Sequence, residues 1–441
     1  MPSFLFDCLA TDRLIRPSGI QLTENENAVL RLVEAEQETA IRFLQEFTRI
    51  NTYNPPGDTR AGVAFISRFL DEHRLPYKII APQAEMPNIV AHTPMAGPGR
   101  HLVLNGHIDV FPPGDAARWS RDPLSGDIVD GAVFGRGTVD MKCGTTASIF
   151  TYVVLNHLRE RLNGQLTLTL VSDEETGGRW GTGYLIDHHG DEVLGDCVLN
   201  GEPSSPWTVR FGEKAPIWFK FHIHTPGAHG AYPHLSKSAT KLAARLMLDL
   251  EKLEEMQPKA PEAVARVMGT PEVRAAIERG LGVGASEVMN RLTVNFGVVQ
   301  GGVKVNMLPG DCLVEADIRM PIGIQASDVH TAIKRILQNY PEVRMEEGQH
   351  YALDPTWSDP DHEMLRYIQQ HAEALSGERP AAIVTLGGTD CRFWRAKGVP
   401  AYVYGCSPDG MGAPDESVPI SEFLHVLKTH ALAACSYLSR N

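Results

Sequence analysis

Long hydrophobic runs, paired cysteines and concentrated positive charge are all missing from this chain. No stretch approaches the roughly 20 apolar residues needed to span a bilayer, so no membrane partner is expected. The N-terminal MPSFLFDCLATDRLIRPSG places Asp7, Asp12 and Arg13 inside any apolar core, which argues against a signal peptide. The seven cysteines (Cys8, Cys143, Cys197, Cys312, Cys391, Cys406 and Cys435) are scattered, odd in number and form no CxxC pair. They read as reduced thiols of a cytoplasmic protein, not as a disulfide framework or a zinc finger. The formal net charge is -13 and no long basic run occurs, so nucleic acid is not expected as a partner. Such a partner needs a concentrated cationic surface. Internal repeats and low-complexity tracts are absent as well.

What is present is an ordinary globular composition, 43% hydrophobic and 22% charged, over 441 residues. That length favours two domains. Residues 25–50 carry apolar positions at helical spacing (Leu30, Val33, Ile41, Leu44, Phe47), and AGVAFISRFLDEH predicts a second amphipathic helix. Strand-like runs follow at YKIIA, NIVAH, HLVLNG, QLTLTLVSD and DCVLNGE, with a helical stretch at TTASIFTYVVLNHLRERL. Alternating strands and helices predict an α/β fold, a mostly parallel sheet covered by helices on both faces. Near Gly212 the texture changes to IWFKFHIHT, a helix at KSATKLAARLMLDLEKLEEM, then the strands RLTVNFGVVQGG and CLVEADIRMP. That order predicts a two-layer α+β unit over residues 212–324, inserted into a discontinuous domain of residues 1–211 and 325–441. Residues 258–288 predict extra helices, SDVHTAIKRILQNY another, and GVPAYVYG a late strand of the first sheet.

The chemistry gathers at strand ends, where ligands bind in sheets of this kind. His107 and Asp109 lie in LVLNGHIDV, Asp140 in GRGTVDMKCG, Glu174 and Glu175 in LTLVSDEETGG, and Glu202 in CVLNGEPSS. A neutral imidazole at 107 suits a metal, with Asp109 holding the ring in the correct tautomer. Asp140 follows a Gly-rich turn and suits a carboxylate shared by two cations about 3.5–4 Å apart. Adjacent glutamates on a strand end point apart, so one can bind metal while the other takes a proton from water. Each feature alone has an ordinary reading: a strand-end His, a helix-capping Asp, an exposed acidic turn. Their occurrence in order, each at a strand end, favours a metal centre.

HIDV, GRGTVDMKCG, DEETGG and GEPSS resemble the successive motifs of a dinuclear metallohydrolase family. Its members include aminoacylase, acetylornithine deacetylase, succinyl-diaminopimelate desuccinylase, carboxypeptidase G and carnosinase. The resemblance runs from about Asn51 to the C-terminus. It implies that His107 and Glu202 hold one metal, that Glu175 helps hold the other, that Asp140 bridges them and that Glu174 is the base. It implies one or two divalent ions, Zn, Mn or Co, since carboxylate-rich sites accept all three. It also makes the inserted unit a lid and the contact of a homodimer. His229 in GAHGAYPH matches the lid His that steadies the oxyanion, in some members across the dimer. Asn306 and Arg319 match lid residues that meet the substrate carboxylate or oxyanion, and an Arg fork fits a carboxylate. GGTDCR resembles the substrate-pocket loop, which makes Gly388, Asp390 and Arg392 candidates for substrate contact. The implied substrate is a small carboxylate-bearing molecule with an amide-type C–N bond, such as an N-acyl amino acid or a dipeptide. His222, His224, His425 and His430 read as structural.

One position departs from the pattern. Family members usually carry a His three residues before the pair that corresponds to Asp415–Glu416, and here that residue is Gly412. The second site would lose its only nitrogen ligand. It could recruit Asp409, Cys406 or a substrate atom, or leave a one-metal enzyme at His107, Asp140 and Glu202, acting on an unusual substrate such as an aromatic amine. Loss of hydrolysis, leaving a non-catalytic binding protein on the same scaffold, is the least favoured outcome, because Glu174 and every other ligand are present.

Overall fold

The structure is a computed structural model that describes residues 22–348 and 354–439. The segment with Cys8, Asp7, Asp12 and Arg13 lies outside the described residues. Apolar strands with period two build the centre of the fold. Leu102, Leu104, Leu166, Leu168 and Leu170 face one buried cluster, while Val103, Val171 and Val198 face another on the opposite side. Among the described residues, nine strands form this sheet. From one edge the order is Tyr77–Ile80, Asn88–Pro94, Asn163–Val171, Gly97–His107, Cys197–Asn200, Ala401–Val403, Thr208–Glu213 and Thr356–Trp357, with Ala381–Thr385 also paired to Thr208–Glu213. The four strands from Asn163–Val171 to Ala401–Val403 run parallel, as do Ala381–Thr385 and Thr208–Glu213.

Helices cover both faces. Glu24–Thr48, Cys143–His157 and Ile420–Leu438 pack on one, and Thr182–Val193 and Cys391–Ala396 lie on the other. The first starts at a capping box in which Glu26 N donates to Thr23 Oγ1 and Thr23 N donates to Glu26 Oε2. Helix Cys143–His157 is buried along nearly its whole length, which its apolar, small-residue sequence allows. Its first turn can sit against the end of strand Cys197–Asn200 only because both meeting residues are glycines. A Cβ on Gly144 would lie 2.0 Å from the Gly201 carbonyl oxygen. That close approach sets Asp140 and Glu202 beside each other.

A second, antiparallel sheet has the order Thr293–Gly301, Asp311–Met320, Ala215–His224, Val343–Glu347. Helices Ala239–Glu251 and Ala326–Leu337 cover its apolar face, burying Phe219, Phe221, Leu246, Val314, Val329 and Ile333 in a core of their own. Here the structure differs from the boundaries read in the sequence. The second covering helix and the fourth strand lie beyond residue 324, while the helices Glu262–Met268, Pro271–Leu281 and Ala285–Met289, inside 212–324, pack into the main core. The fourth strand, VRMEE, is short, and only Val343 and Met345 alternate toward this core, too little hydrophobic signal by which to extend the unit.

Candidate metal centre

His107 ends its strand with its ring buried, and two carboxylates meet it. Its Nε2 lies 3.2 Å from Asp140 Oδ1 and 3.3 Å from Glu202 Oε1. Among the described residues, His107, Asp140 and Glu202 form a group whose ligand atoms all lie within 4.8 Å of one another, close enough to share a cation. The imidazole is oriented differently from the expectation. Its Nδ1 is 2.7 Å from the backbone carbonyl of Asp109, and only 3.6 Å from that residue's carboxylate. A main-chain acceptor therefore fixes the tautomer that leaves Nε2 for the metal. The Asp109 carboxylate instead accepts from Asn54 Nδ2 at 2.8 Å and from the backbone N–H groups of Glu174 and Glu175 at 3.3 and 3.2 Å. It fixes the turn that carries both glutamates.

That turn is a single helical turn, Glu174–Thr176, beyond a strand that stops at Val171. The two side chains diverge, as adjacent glutamates on a strand end were expected to, but because of the turn and not the pleat. Glu174 Oε1 accepts from Arg392 Nη1 at 3.0 Å, and Arg392 also donates to the Thr389 carbonyl at 2.9 Å. Glu175 lies beside the Asp140 charge, and its Oε1 is buried with no hydrogen-bond partner. Glu202 is set by Asn200, whose side-chain oxygen accepts from the Glu202 N–H at 2.7 Å.

The electrostatics call for a cation. Burial and then the Asp140 charge push Glu175 well above the usual carboxylate range, and the same two causes push Glu202 up to about 8. Burial raises Asp109 as well. Burial alone would lower His107, but the carboxylates of Glu202 and Asp140 hold it well above its ordinary value. Acids that oppose one another's ionisation around one imidazole are relieved by a divalent ion. The orphaned Glu175 oxygen offers a further acceptor next to Asp140. The donor set therefore fits a metal at His107–Asp140–Glu202, and Glu175 beside a shared Asp140 remains for a second.

Gly412 has φ +73° and is exposed, and a Cβ there would meet nothing within 4 Å. Its loop is tied down by a buried ion pair. Arg136 pairs with Glu416 and donates to the Gly412 carbonyl at 2.9 Å. Glu416 Oε1 in turn accepts from the N–H groups of Gly137, Val139 and Asp140 at 3.0, 2.9 and 3.3 Å. Asp409 is exposed and lines the same cleft as Asp140 and Glu202. Cys406 is buried in the main core, with its thiol pushed up first by the Cys143 contact and then by burial, which does not suit a metal ligand.

The cleft over the cluster has a volume of about 530 Å³, and Gly388 lines it. Asp390 does not. It is fully buried, both carboxylate oxygens lack partners, and burial followed by the Glu174 charge raises it well above the usual range. The lid candidates stand away from this lining. His229 and Asn306 are brought together, with Gly230 N donating to the Asn306 carbonyl at 2.8 Å, yet neither lines the cleft. Arg319 lies on the second sheet with its Nε 2.9 Å from Asp317 Oδ1. His224 pairs with Asp311 at 2.8 Å, and His222 lies 3.4 Å from Glu346. His425 and His430 both bond Tyr404 inside the core, at 2.7 and 2.6 Å. Two arginines escaped the sequence reading. Arg136 lies in GRGTVD as a seemingly ordinary turn charge, and Arg210 lies in a strand whose six residues are all buried.

Residues 103–436 match the sequence pattern of Peptidase family M20/M25/M40. The chain belongs to this family. It is 28% identical over 352 residues to a succinyl-diaminopimelate desuccinylase of Cereibacter sphaeroides, covering 76% of this chain and 83% of that protein. The fold is similar to that of Sso-CP2, an M20 family metallo-carboxypeptidase from Sulfolobus solfataricus, with a TM-score of 0.77 at 16% identity over 91% of this chain and 99% of that one. Human carnosine dipeptidase 1 is similar too, with a TM-score of 0.69 at 15% identity, covering 94% and 100%. This M20 protein is a metallohydrolase acting on amide bonds. Among its described residues, no helix is long and apolar enough to cross a membrane.

Proposed function

We propose that this M20 enzyme hydrolyses an amide-type C–N bond next to a carboxylate, in an N-acyl amino acid or a dipeptide. The observation that carries the reading is Glu174, held by Arg392 on the turn next to Glu175, itself beside the Asp140 charge. His107, Asp140 and Glu202 would hold one Zn, Mn or Co ion, and Asp140 with Glu175 a second. When bound, such an ion polarises a carbonyl and lowers the pKa of water. Glu174 takes the proton of the attacking water and returns it to the leaving amine. Arg392 fixes one oxygen of that carboxylate and leaves the other for the proton. Gly388 borders the substrate.

His229 and Asn306 would reach the developing oxyanion from a second copy of the chain. Exposed Val299, Val303, Val305 and Met307 lie around them on the lid, an apolar surface that a second lid could cover. The working form is thus a homodimer through the lid, and buried free cysteines accord with a cytoplasmic setting.

Metal-loaded protein screened against N-acyl amino acids and dipeptides tests the reading; no metal-dependent turnover of any of them would end it. Glu174→Ala should lower turnover by about 10²–10⁴-fold with metal content unchanged. Retained turnover would remove Glu174 from the role of base. Gly412 supports a second reading, a one-metal enzyme acting on an unusual C–N bond such as that of an aromatic amine, and adding aromatic amines to the screen separates the two.

A further inference from the structure

Four buried or nearly buried arginines surround the site, and three of them have their carboxylate. Arg136 pairs with Glu416, Arg392 with Glu174 at 3.0 Å, and Arg395 with Glu213 at 3.1 Å. Arg210 does not. It is only 8% exposed, lines the cleft that holds Asp140 and Glu202, and has a buried Nε with no hydrogen-bond partner. Its strand, Thr208–Glu213, sits between Ala401–Val403 and Ala381–Thr385, so the residue is held from both sides at the cleft floor. The cleft's other arginine, Arg279, is engaged by Glu378 at 2.5 Å and by the Trp207 ring at 3.7 Å.

A buried guanidinium with an unmet donor, facing a cleft, awaits an anion. Its planar fork offers two parallel N–H groups and suits a carboxylate better than a single-point acceptor. Burial lowers its pKa to about 10, which leaves it charged at neutral pH. We infer that Arg210 is the residue that recognises a carboxylate of the substrate, from within the same subunit as the metal ligands. This deepens the proposed function and rests on it: the substrate carries a carboxylate that reaches the cleft floor while its amide lies at His107, Asp140 and Glu202. Arg319 is held through its Nε by Asp317 on the second sheet and does not line this cleft.

The test compares metal-loaded wild type with Arg210→Met and Arg210→Lys. Calorimetry gives the affinities of succinate and glutarate relative to acetate, metal analysis gives occupancy, and kcat/KM is measured on an N-acyl amino acid and on its carboxamide. A charge-assisted pair is worth roughly 10- to 100-fold. Wild type should therefore bind one of the dicarboxylates tighter than acetate by that factor. In Arg210→Met the ratio should fall to near one with metal content unchanged, and kcat/KM should drop by a similar factor on the acid but not on the carboxamide. Arg210→Lys, which keeps the charge without the fork, should fall between the two, and it carries the test if Arg210→Met does not fold. An unchanged dicarboxylate ratio would overturn the inference. So would loss of metal from either folded variant, which would make Arg210 a counter-charge to Asp140 and Glu202. If wild type hydrolyses no amide yet binds dicarboxylates through Arg210, the hydrolase assignment fails and this one stands.

Discussion

Restoring an imidazole at residue 412 is the sharpest test of how many metals this enzyme holds. At φ +73° a non-glycine residue costs about 1–3 kcal/mol, but the space is open, with nothing within 4 Å of a Cβ. Gly412→His should therefore fold, with a melting temperature lowered by no more than a few degrees. On the proposed ligand set a second site would have Asp140 and Glu175 and no nitrogen ligand. Losing a partner that merely orients a ligand weakens metal affinity by about 10–100-fold, so losing a ligand outright should weaken it by at least about 100-fold. Titrating Zn or Mn into chelated protein should give one tight event in the wild type and two in Gly412→His. Metal retained after desalting should rise from one ion to two per chain. A wild type that already retains two ions would refute the reasoning, and Asp409→Ala would then show whether that residue, on the same cleft, is the replacement. A folded Gly412→His that still retains one ion would refute it equally.

The remaining predictions concern the supports of the site. Arg136→Met leaves Glu416 with its backbone N–H donors but no cation, and breaking such a buried pair should cost about 3–5 kcal/mol, read by urea denaturation. A loss under about 1 kcal/mol would show that the pair is not what holds the loop. His425 is half-buried and its pKa is lowered to about 4, first by burial and then by Lys428. Unfolded, it binds a proton near its ordinary value of 6.5, so between about 6.5 and 4 the unfolded state holds more protons and stability falls as pH falls. His425→Phe should flatten this slope by about one proton, while Tyr404 keeps its hydrogen bond to the Pro206 carbonyl. An unchanged slope would refute the buried neutral form. Val303→Asp with Val305→Asp on the exposed lid should convert a dimer to a monomer in light scattering, and a variant that stays dimeric would move the interface elsewhere.

Strand ends were legible because the chemistry there is local. His107, Glu174, Glu175 and Glu202 each follow an apolar run that the period of two makes visible. The partners that tune them are not local. Glu174 and Arg392 are 218 residues apart, and Arg136 and Glu416 are 280 apart, so no window of sequence joins them. The ring of His107 is oriented by a backbone carbonyl, which every residue carries and no composition reveals. The second unit was legible from IWFKFHIHT and CLVEADIRMP but not to its end, because the edge strand VRMEE offers only Val343 and Met345 on its apolar side, too short an alternation to recognise.

Arg210 shows why such residues hide. In TVRFGE a charge between Val209 and Phe211 reads as the solvent side of a half-buried strand. The structure buries all six residues instead, with Arg210 in the lining of the cleft. A charge kept on a fully buried strand is costly unless something pairs it. Arg136, Arg392 and Arg395 meet that cost with carboxylates of the chain itself. For Arg210 no carboxylate among the described residues forms an ion pair, although the charges of Glu202, Asp140 and Glu213 act on it, and the inferred partner is a carboxylate from outside. The same reasoning holds for Glu175, whose buried oxygen lacks a donor beside Asp140. Arg210 lines the cleft, and Glu175 lies beside the charge of Asp140, which also lines it. On the proposed function the two would take ligands of opposite sign: a metal cation for Glu175 and a substrate carboxylate for Arg210.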